Sequence, residues 1–412
     1  MTIETERLRT RVATELERTR ERTALLTSTV DDDDLVRQHS PLMSPLVWDL
    51  AHVGNQEELW LVRDVGGRDP VRRDIDELYD AFKHARVDRP ALPLLNPAEA
   101  RAYIRTVRSK VLDLLDTVPF EGRRLVEQGF AFGMIVQHEQ QHAETMLATH
   151  QLREGAAVLH SPAPPEPVTP VRGEVFVPGG PFVMGTSSDP WALDNERPAH
   201  EIEVPPFVID AAPVTNAEYL AFIDAGGYDD SRWWTPDGWA LRIEANLTAP
   251  KHWRRDADGW HYTRFGVGAP IRPDEPVVHV CFHEAAAYAR WAGRRLPTEF
   301  EWEHAARELP VEGNFVDTGA WAPRADARPA AGLRQMYGDV WEWTASPYVA
   351  YPGFRAAPGA VGEYNGKFMN GQYVLRGGSC ASPRSHLRAS YRNFFQPGQR
   401  WQFSGLRLAE DA

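Results

Sequence analysis

Five prolines fall within the ten residues from Ser161 to Pro170, and a segment so rich in proline lacks the N–H donors that a helix or an inner strand requires. It reads as an extended connector, and the two sides of it are written in different patterns. Before it, apolar residues recur at helical spacing and glycine is sparse. After it, glycine and proline interrupt the chain every few residues, among many tryptophans. A chain of 412 residues also exceeds the usual size of one domain. The expectation is an α+β protein in two pieces: a helical bundle over 1–155, a proline-rich linker over 156–173, and a mixed domain with little regular structure over 174–412.

Four long helices are expected in the first piece, over about 5–26, 47–65, 96–115 and 124–152, enough for a four-helix bundle. The run Asp31 to Asp34 suits a helix start, where carboxylates meet exposed N–H groups. Ser44 before Pro45 reads as a hydroxyl cap followed by proline at the first helical position, and Asn96 with Pro97 starts the third long helix. In the second piece, Val175 to Val177 and Phe207 to Ile209 read as short strands. One helix is expected from His283 to Gly293, through Ala286, Tyr288 and Trp291. Trp302, Trp341 and Trp343 are expected to be packed inside, and Gly377 with Gly378 to form a tight turn.

A formal charge of −13 disfavours nucleic acid and anionic membrane surfaces as partners, because their phosphates would be repelled. A small-molecule substrate fits better. Two cysteines, Cys281 and Cys380, neither build a disulfide framework nor supply CxxC metal spacing, which fits a reducing cytoplasm. The first twenty residues are dense in Glu and Arg, and no apolar run approaches the roughly 18 residues of a membrane span. Neither a signal peptide nor a transmembrane helix is expected.

The chemistry is concentrated in the fourth helix, at His138-Glu139-Gln140-Gln141-His142-Ala143-Glu144. Histidines four residues apart stand one above the other on one helical face, as a shared metal ion requires. The segment also matches the HExxH pattern of zinc hydrolases, with Glu139 in the place of the general base; two solvated histidines are the bland alternative. His52, in the second helix, is placed so that a neighbouring helix of a bundle reaches the same interior point. Three neutral imidazoles bind Fe(II), Zn(II) or Cu(II), and the ligand set alone does not decide between them.

These motifs, taken together, resemble the iron-dependent sulfoxide synthases of ergothioneine biosynthesis. In that family a DinB-type bundle supplies one histidine from an early helix and two from an HxxxHxE motif, matched here by His52, His138, His142 and Glu144. The second piece resembles the formylglycine-generating-enzyme fold through Pro178-Gly179-Gly180-Pro181-Phe182, Arg295-Leu296-Pro297-Thr298-Glu299, Gly338-Asp339-Val340-Trp341-Glu342-Trp343, Leu375-Arg376-Gly377-Gly378-Ser379 and the closing Gly405-Leu406-Arg407-Leu408. True formylglycine-generating enzymes use two nearby cysteines, and Cys281 and Cys380 lack that spacing, so the sulfatase-maturing role is not expected.

The resemblance implies Fe(II) as cofactor, with O2, a thiol and hercynine, the betaine of histidine, as substrates. Gln141 matches a glutamine that contacts the hercynine imidazole and Asn393 an asparagine near the betaine, while Phe394 replaces a family tryptophan and keeps an aromatic face for the quaternary ammonium. The branch that uses γ-glutamylcysteine has aspartate and arginine where Phe395 and Gln399 stand, although Arg86 matches its third donor-binding residue. Free cysteine is therefore the preferred donor; a selenosugar, as in a related selenoneine-forming enzyme, and a DinB-type metal-dependent thiol transferase are the alternatives. The best register puts Val361 at the family's proton-donating tyrosine, with Tyr364 the nearest replacement.

Overall fold

A computed structural model describes residues 3–170, 172–326, 332–355 and 369–412. The chain divides into two compact units, Met1–His160 and Ser161–Ala412. The proline-rich segment belongs to the second: the Val168 N–H donates to Asp274 at 3.0 Å and Arg272 to the Pro165 carbonyl at 2.8 Å. Among the described residues no helix is long and apolar enough to cross a membrane.

The first unit is helical: α1 (Ile3–Ser28), α2 (Asp32–Val36), α3 (Leu46–Glu57), α4 (Pro97–Leu115) and α5 (Phe130–Leu152). Each long helix lends an apolar stripe to one core, with Val12 and Leu16 from α1, Leu50 from α3, Val107 and Val111 from α4, and Met146 from α5 all buried. Asp31 caps α2 by accepting the Asp34 N–H at 2.8 Å. At α4, Asn96 and Glu99 form a reciprocal capping box. Two helix starts differ from expectation. Pro45 itself is the N-cap of α3 and Ser44 does not cap; its hydroxyl instead accepts from the buried Arg89 guanidinium at 2.6 Å, a charge-assisted bond stronger than the cap it displaces. The last helix begins at Phe130 rather than near Arg124, because Gln128 and Gly129 both take left-handed backbone, φ 50° and 73°. Beyond Glu57, α3 runs on as a π-helical stretch, Glu58–Val65. Glu58 there is buried and accepts from Arg63 and from the Tyr103 hydroxyl.

The second unit is built from small sheets. Strands β1 (Glu174–Val177), β2 (Gly180–Met184), β3 (His200–Val204) and β4 (Phe207–Asp210) precede a meander, β5 (Trp253–Asp256), β6 (Gly259–Arg264) and β7 (Val267–Pro270). Then come β8 (Gly313–Asn314), β9 (Tyr337–Gly338), β10 (Trp341–Pro347), β11 (Tyr373–Arg376), β12 (Asn393–Phe395), β13 (Ser404–Gly405) and β14 (Ala409–Asp411). The principal sheet has the order β12-β11-β10-β13, and a second one pairs β4 between β1 and β14. Among the described residues four helices lie between them, α6 (Asn216–Asp224), α7 (Pro236–Glu244), α8 (Phe282–Trp291) and α9 (Glu299–Ala306), where the sequence reading expected one. The three that it missed are eight or nine residues long, too short to show a helical period in the usual window. Their caps were legible: Thr215, Thr235 and Thr298 each accept an N–H three residues on.

The recurring motifs of this unit turn out to be structural. Trp302, Trp341 and Trp343 are at most 2% exposed, and the Trp302 indole donates to Glu342. Arg407 forks onto the same carboxylate, and Arg376 and Arg392 both donate to Glu299. Fixed guanidinium forks thus replace regular hydrogen-bonded ladders inside a domain poor in strand. Gly377 and Gly378 have φ of 92° and 81°, and a Cβ at Gly377 would lie 2.5 Å from the Met336 carbonyl oxygen. Cys281 and Cys380 are both buried.

Candidate metal centre

Helix pitch places His138 and His142 on one face of α5, and α3, packed alongside, brings His52 to the same point. Among the described residues this is the grouping of three whose ligand atoms converge, all within 4.8 Å of one another. The ring centroids are 4.6–5.0 Å apart. His52 is 3% exposed and the other two are half-buried.

Two contacts fix which ring nitrogen faces inward. Nδ1 of His142 lies 2.9 Å from Oδ1 of Asp49, a residue 1% exposed, and Nδ1 of His52 lies 2.7 Å from the Tyr79 carbonyl oxygen. Both partners accept, so both Nδ1 atoms carry the proton and both Nε2 atoms keep a lone pair for a metal. Trp48 stacks on His52, with centroids 4.5 Å apart and planes at 13°, and the Arg89 guanidinium covers the indole at 3.5 Å. Burial first, and then the neighbouring imidazoles, push His52 well below its ordinary pKa; burial and His142 do the same to His138. Neutral imidazole is the ligating form.

The donor set fits a first-row divalent ion. With metal–nitrogen bonds of about 2.1 Å, ligands at octahedral to tetrahedral angles stand roughly 3.0–3.4 Å apart, and Nε2 of His52 is 3.2 Å from Nε2 of His138.

The arrangement overturns the hydrolase alternative. The Glu139 carboxylate, 2% exposed, accepts from Arg20 at 2.7 Å, Thr23 at 2.8 Å and Arg108 at 3.0 Å. Burial works against its charge, but the two arginines outweigh burial and hold its pKa at about 2. An acid so engaged does not act as a general base at neutral pH.

The other expected site residues fall on both units. Gln141 lies on α5 between the two histidines and is half-buried. Arg86 begins a short helical turn and donates to the Leu42 carbonyl at 2.7 Å; burial lowers its pKa, and the charge of Asp49 opposes that. In the second unit, Asn393, Phe394 and Phe395 form β12. Strand alternation puts Asn393 and Phe395 on one face and Phe394 on the other, where it stacks on Tyr348 with centroids 4.1 Å apart. Phe395 stands edge-on to Trp401, and the Gln399 side chain accepts the Gln396 N–H at 3.3 Å. Tyr364 lies outside the described residues. Sequence reading missed Asp49 and the Tyr79 carbonyl. Asp49 left a signal, since it sits one helical turn before His52; a backbone carbonyl leaves none.

Fold and site together define a protein that joins a helical bundle carrying a three-histidine cluster to a sulfatase-modifying-factor domain in one chain. The DinB superfamily model matches residues 15–146 and the sulfatase-modifying factor enzyme 1-like domain matches residues 160–412. The chain is 49% identical to hercynine oxygenase of Mycolicibacterium smegmatis, covering 97% of this chain and 98% of that protein. It is 46% identical to hercynine oxygenase of Mycobacterium tuberculosis over the same shares. Formylglycine-generating enzyme of Streptomyces coelicolor matches at 33% identity over 62% of this chain and 95% of its own. The chain belongs to the hercynine oxygenase family, as the order of its motifs implied.

Proposed function

We propose that this protein is an Fe(II)- and O2-dependent sulfoxide synthase that joins a thiol, preferably cysteine, to the imidazole C2 of hercynine. The observation that carries the reading is the convergence of His52, His138 and His142 in a chain 49% identical along its length to a hercynine oxygenase. The overall change balances: the imidazole C2–H and the donor S–H are lost, a C–S bond and one S=O form, and O2 gives its second oxygen to water.

When bound, Fe(II) supplies the redox chemistry that activates O2 and acidifies the donor thiol. The residues of the chain do the holding. Asp49 and the Tyr79 carbonyl keep two imidazoles in the ligating tautomer, and the Trp48 face under His52 keeps water from that ring. Gln141 offers an uncharged amide to the hercynine imidazole and Asn393 offers one to the betaine; Phe394 lies on the opposite face of β12 against Tyr348, so its ring does not share the Asn393 side, and Tyr364 would supply a proton. Arg86 attracts the donor carboxylate. Phe395 and Gln399 bring no charge, and this supports cysteine over γ-glutamylcysteine, whose γ-glutamyl group carries an ammonium and a carboxylate that call for charged partners worth roughly 1.5–3 kcal/mol each.

Anaerobic metal titration, oxygen uptake and product mass spectrometry test this reading. Fe(II) should bind at one ion per chain in the wild type and not in His138→Ala, and oxygen should be consumed only when hercynine and a thiol are both present. Zinc dependence with no oxygen uptake would replace it by a DinB-type thiol transferase, and turnover of a selenosugar alone by selenoneine synthesis.

A further inference from the structure

The bundle holds a second cluster of charge, and none of its members is a metal ligand. Each of the four long helices sends one residue to it: Arg20 from α1, Glu57 from α3, Arg108 from α4 and Glu139 from α5. Arg20 donates to Glu57 and to Glu139, both at 2.7 Å. Arg108 donates to Glu57 at 2.5 Å and to Glu139 at 3.0 Å. The ring is closed, with two positive and two negative charges, and both acids are almost wholly buried, their side chains 0% and 2% exposed. The arginines also tie α1 and α4 reciprocally, Arg20 to the Ile104 carbonyl and Arg108 to the Leu16 carbonyl.

Stability does not account for such a ring. Taking four charges out of water costs about what their attraction returns, and well-packed apolar side chains of the same volume usually hold a fold equally well. What the ring does supply is direction. Glu139 directly follows His138, about 100° further round α5, and Glu57 lies five residues beyond His52, about 140° round α3. Glu139 also stands about 60° round α5 from His142, so α5 is gripped beside the face that carries its histidines and α3 on a flank away from His52, by the same two guanidiniums. Side-chain tips lie about 5–6 Å from a helix axis, so turning a helix by about 10° moves a ligand nitrogen by about 1 Å. A metal site tolerates about 0.2 Å.

We propose that the Arg20–Glu57–Arg108–Glu139 ring is a positioning device that fixes the rotation of α3 against α5, and so sets where His52 meets His138 and His142. The inference rests on the three-histidine metal reading. It gives the HExxH glutamate of this chain an architectural role, and it makes the residues around a metal site selective for geometry at a distance from the ligands.

The test replaces the whole ring by apolar residues, Arg20→Met, Glu57→Leu, Arg108→Met and Glu139→Leu together, and reads the full-length protein in three ways: thermal unfolding of the metal-free form, affinity for Co(II), and the visible absorption of bound Co(II), which reports ligand geometry. The expected result is a folded protein with a midpoint within about 5 °C of wild type, Co(II) affinity at least tenfold weaker and a changed spectrum. Arg108→Lys, which keeps the charge and loses the fork, should change the spectrum in the same direction to a smaller extent. A quadruple variant that binds Co(II) with native affinity and spectrum overturns the proposal. So does one that fails to fold, because the ring would then hold the bundle together rather than orient it. A wild type that binds no Co(II), or a His138→Ala variant that binds it as well as wild type does, overturns instead the metal reading beneath it.

Discussion

Asp49→Asn separates the roles of charge and shape at the metal centre. Asp49 is buried, and Oδ1 accepts the His142 Nδ1–H at 2.9 Å, while Oδ2 has no hydrogen-bond partner among the described residues. Asparagine keeps the size and loses two things. The charge-assisted bond becomes a neutral one of about half the strength. The amide also has two ends: with oxygen toward His142 the ligating tautomer survives, but with NH2 toward it Nδ1 must become the acceptor and Nε2 takes up the proton, which blocks the metal. Loss of a carboxylate behind a ligating histidine typically weakens metal binding 10- to 100-fold, which corresponds to about 1.4–2.7 kcal/mol. Anaerobic Co(II) and Fe(II) titrations of wild type, Asp49→Asn and Asp49→Ala should therefore give Kd values rising in that order, with far-UV circular dichroism unchanged. Because one buried carboxylate oxygen is already without a partner, the metal-free Asn variant should unfold no earlier than wild type. Equal Kd values for all three proteins would refute the assignment of Asp49 as the residue that orients His142.

Other outcomes follow from the same structure. Gly377→Ala places a Cβ 2.5 Å from the Met336 carbonyl at φ 92°, so urea denaturation of the full chain should show a loss of at least ~2 kcal/mol. His150 is held neutral, its pKa lowered to about 4 by burial, while the ring bonds to the Leu26 carbonyl. The folded form thus refuses a proton that the unfolded chain accepts below about pH 6.5, and stability falls as pH drops from about 6.5 toward 4. Replacing it by glutamine should flatten the stability–pH slope in that window by about 1.4 kcal/mol per unit, and an unchanged slope would refute the buried neutral state. In steady-state assays, cysteine should exceed γ-glutamylcysteine in kcat/KM, and the reverse order would refute the reading of Phe395 and Gln399.

The sequence by itself determined whatever depends on near neighbours. Helix pitch alone puts His138 and His142 on one face, proline density alone forbids a helix across 161–170, and Asn96 and Asp31 cap the helices whose starts they mark. Left-handed turns at Gly377 and Gly378 were likewise legible, since glycine alone takes them without strain.

Only the tertiary structure decided what depends on partners far along the chain. Ser44 was free by local rules to cap α3, yet it bonds to Arg89, forty-five residues on. Glu139 matched a general base by its neighbours, yet Arg20 and Arg108 from two other helices claim both of its oxygens. Periodicity did not bring His52 to within 3.2 Å of a nitrogen eighty-six residues away; packing of the helices did. The physical reason is one of range: backbone geometry fixes the directions of side chains a turn or two apart, whereas the pairing of buried charges and apolar faces, which sets how one helix is turned toward another, is settled only when the whole core closes.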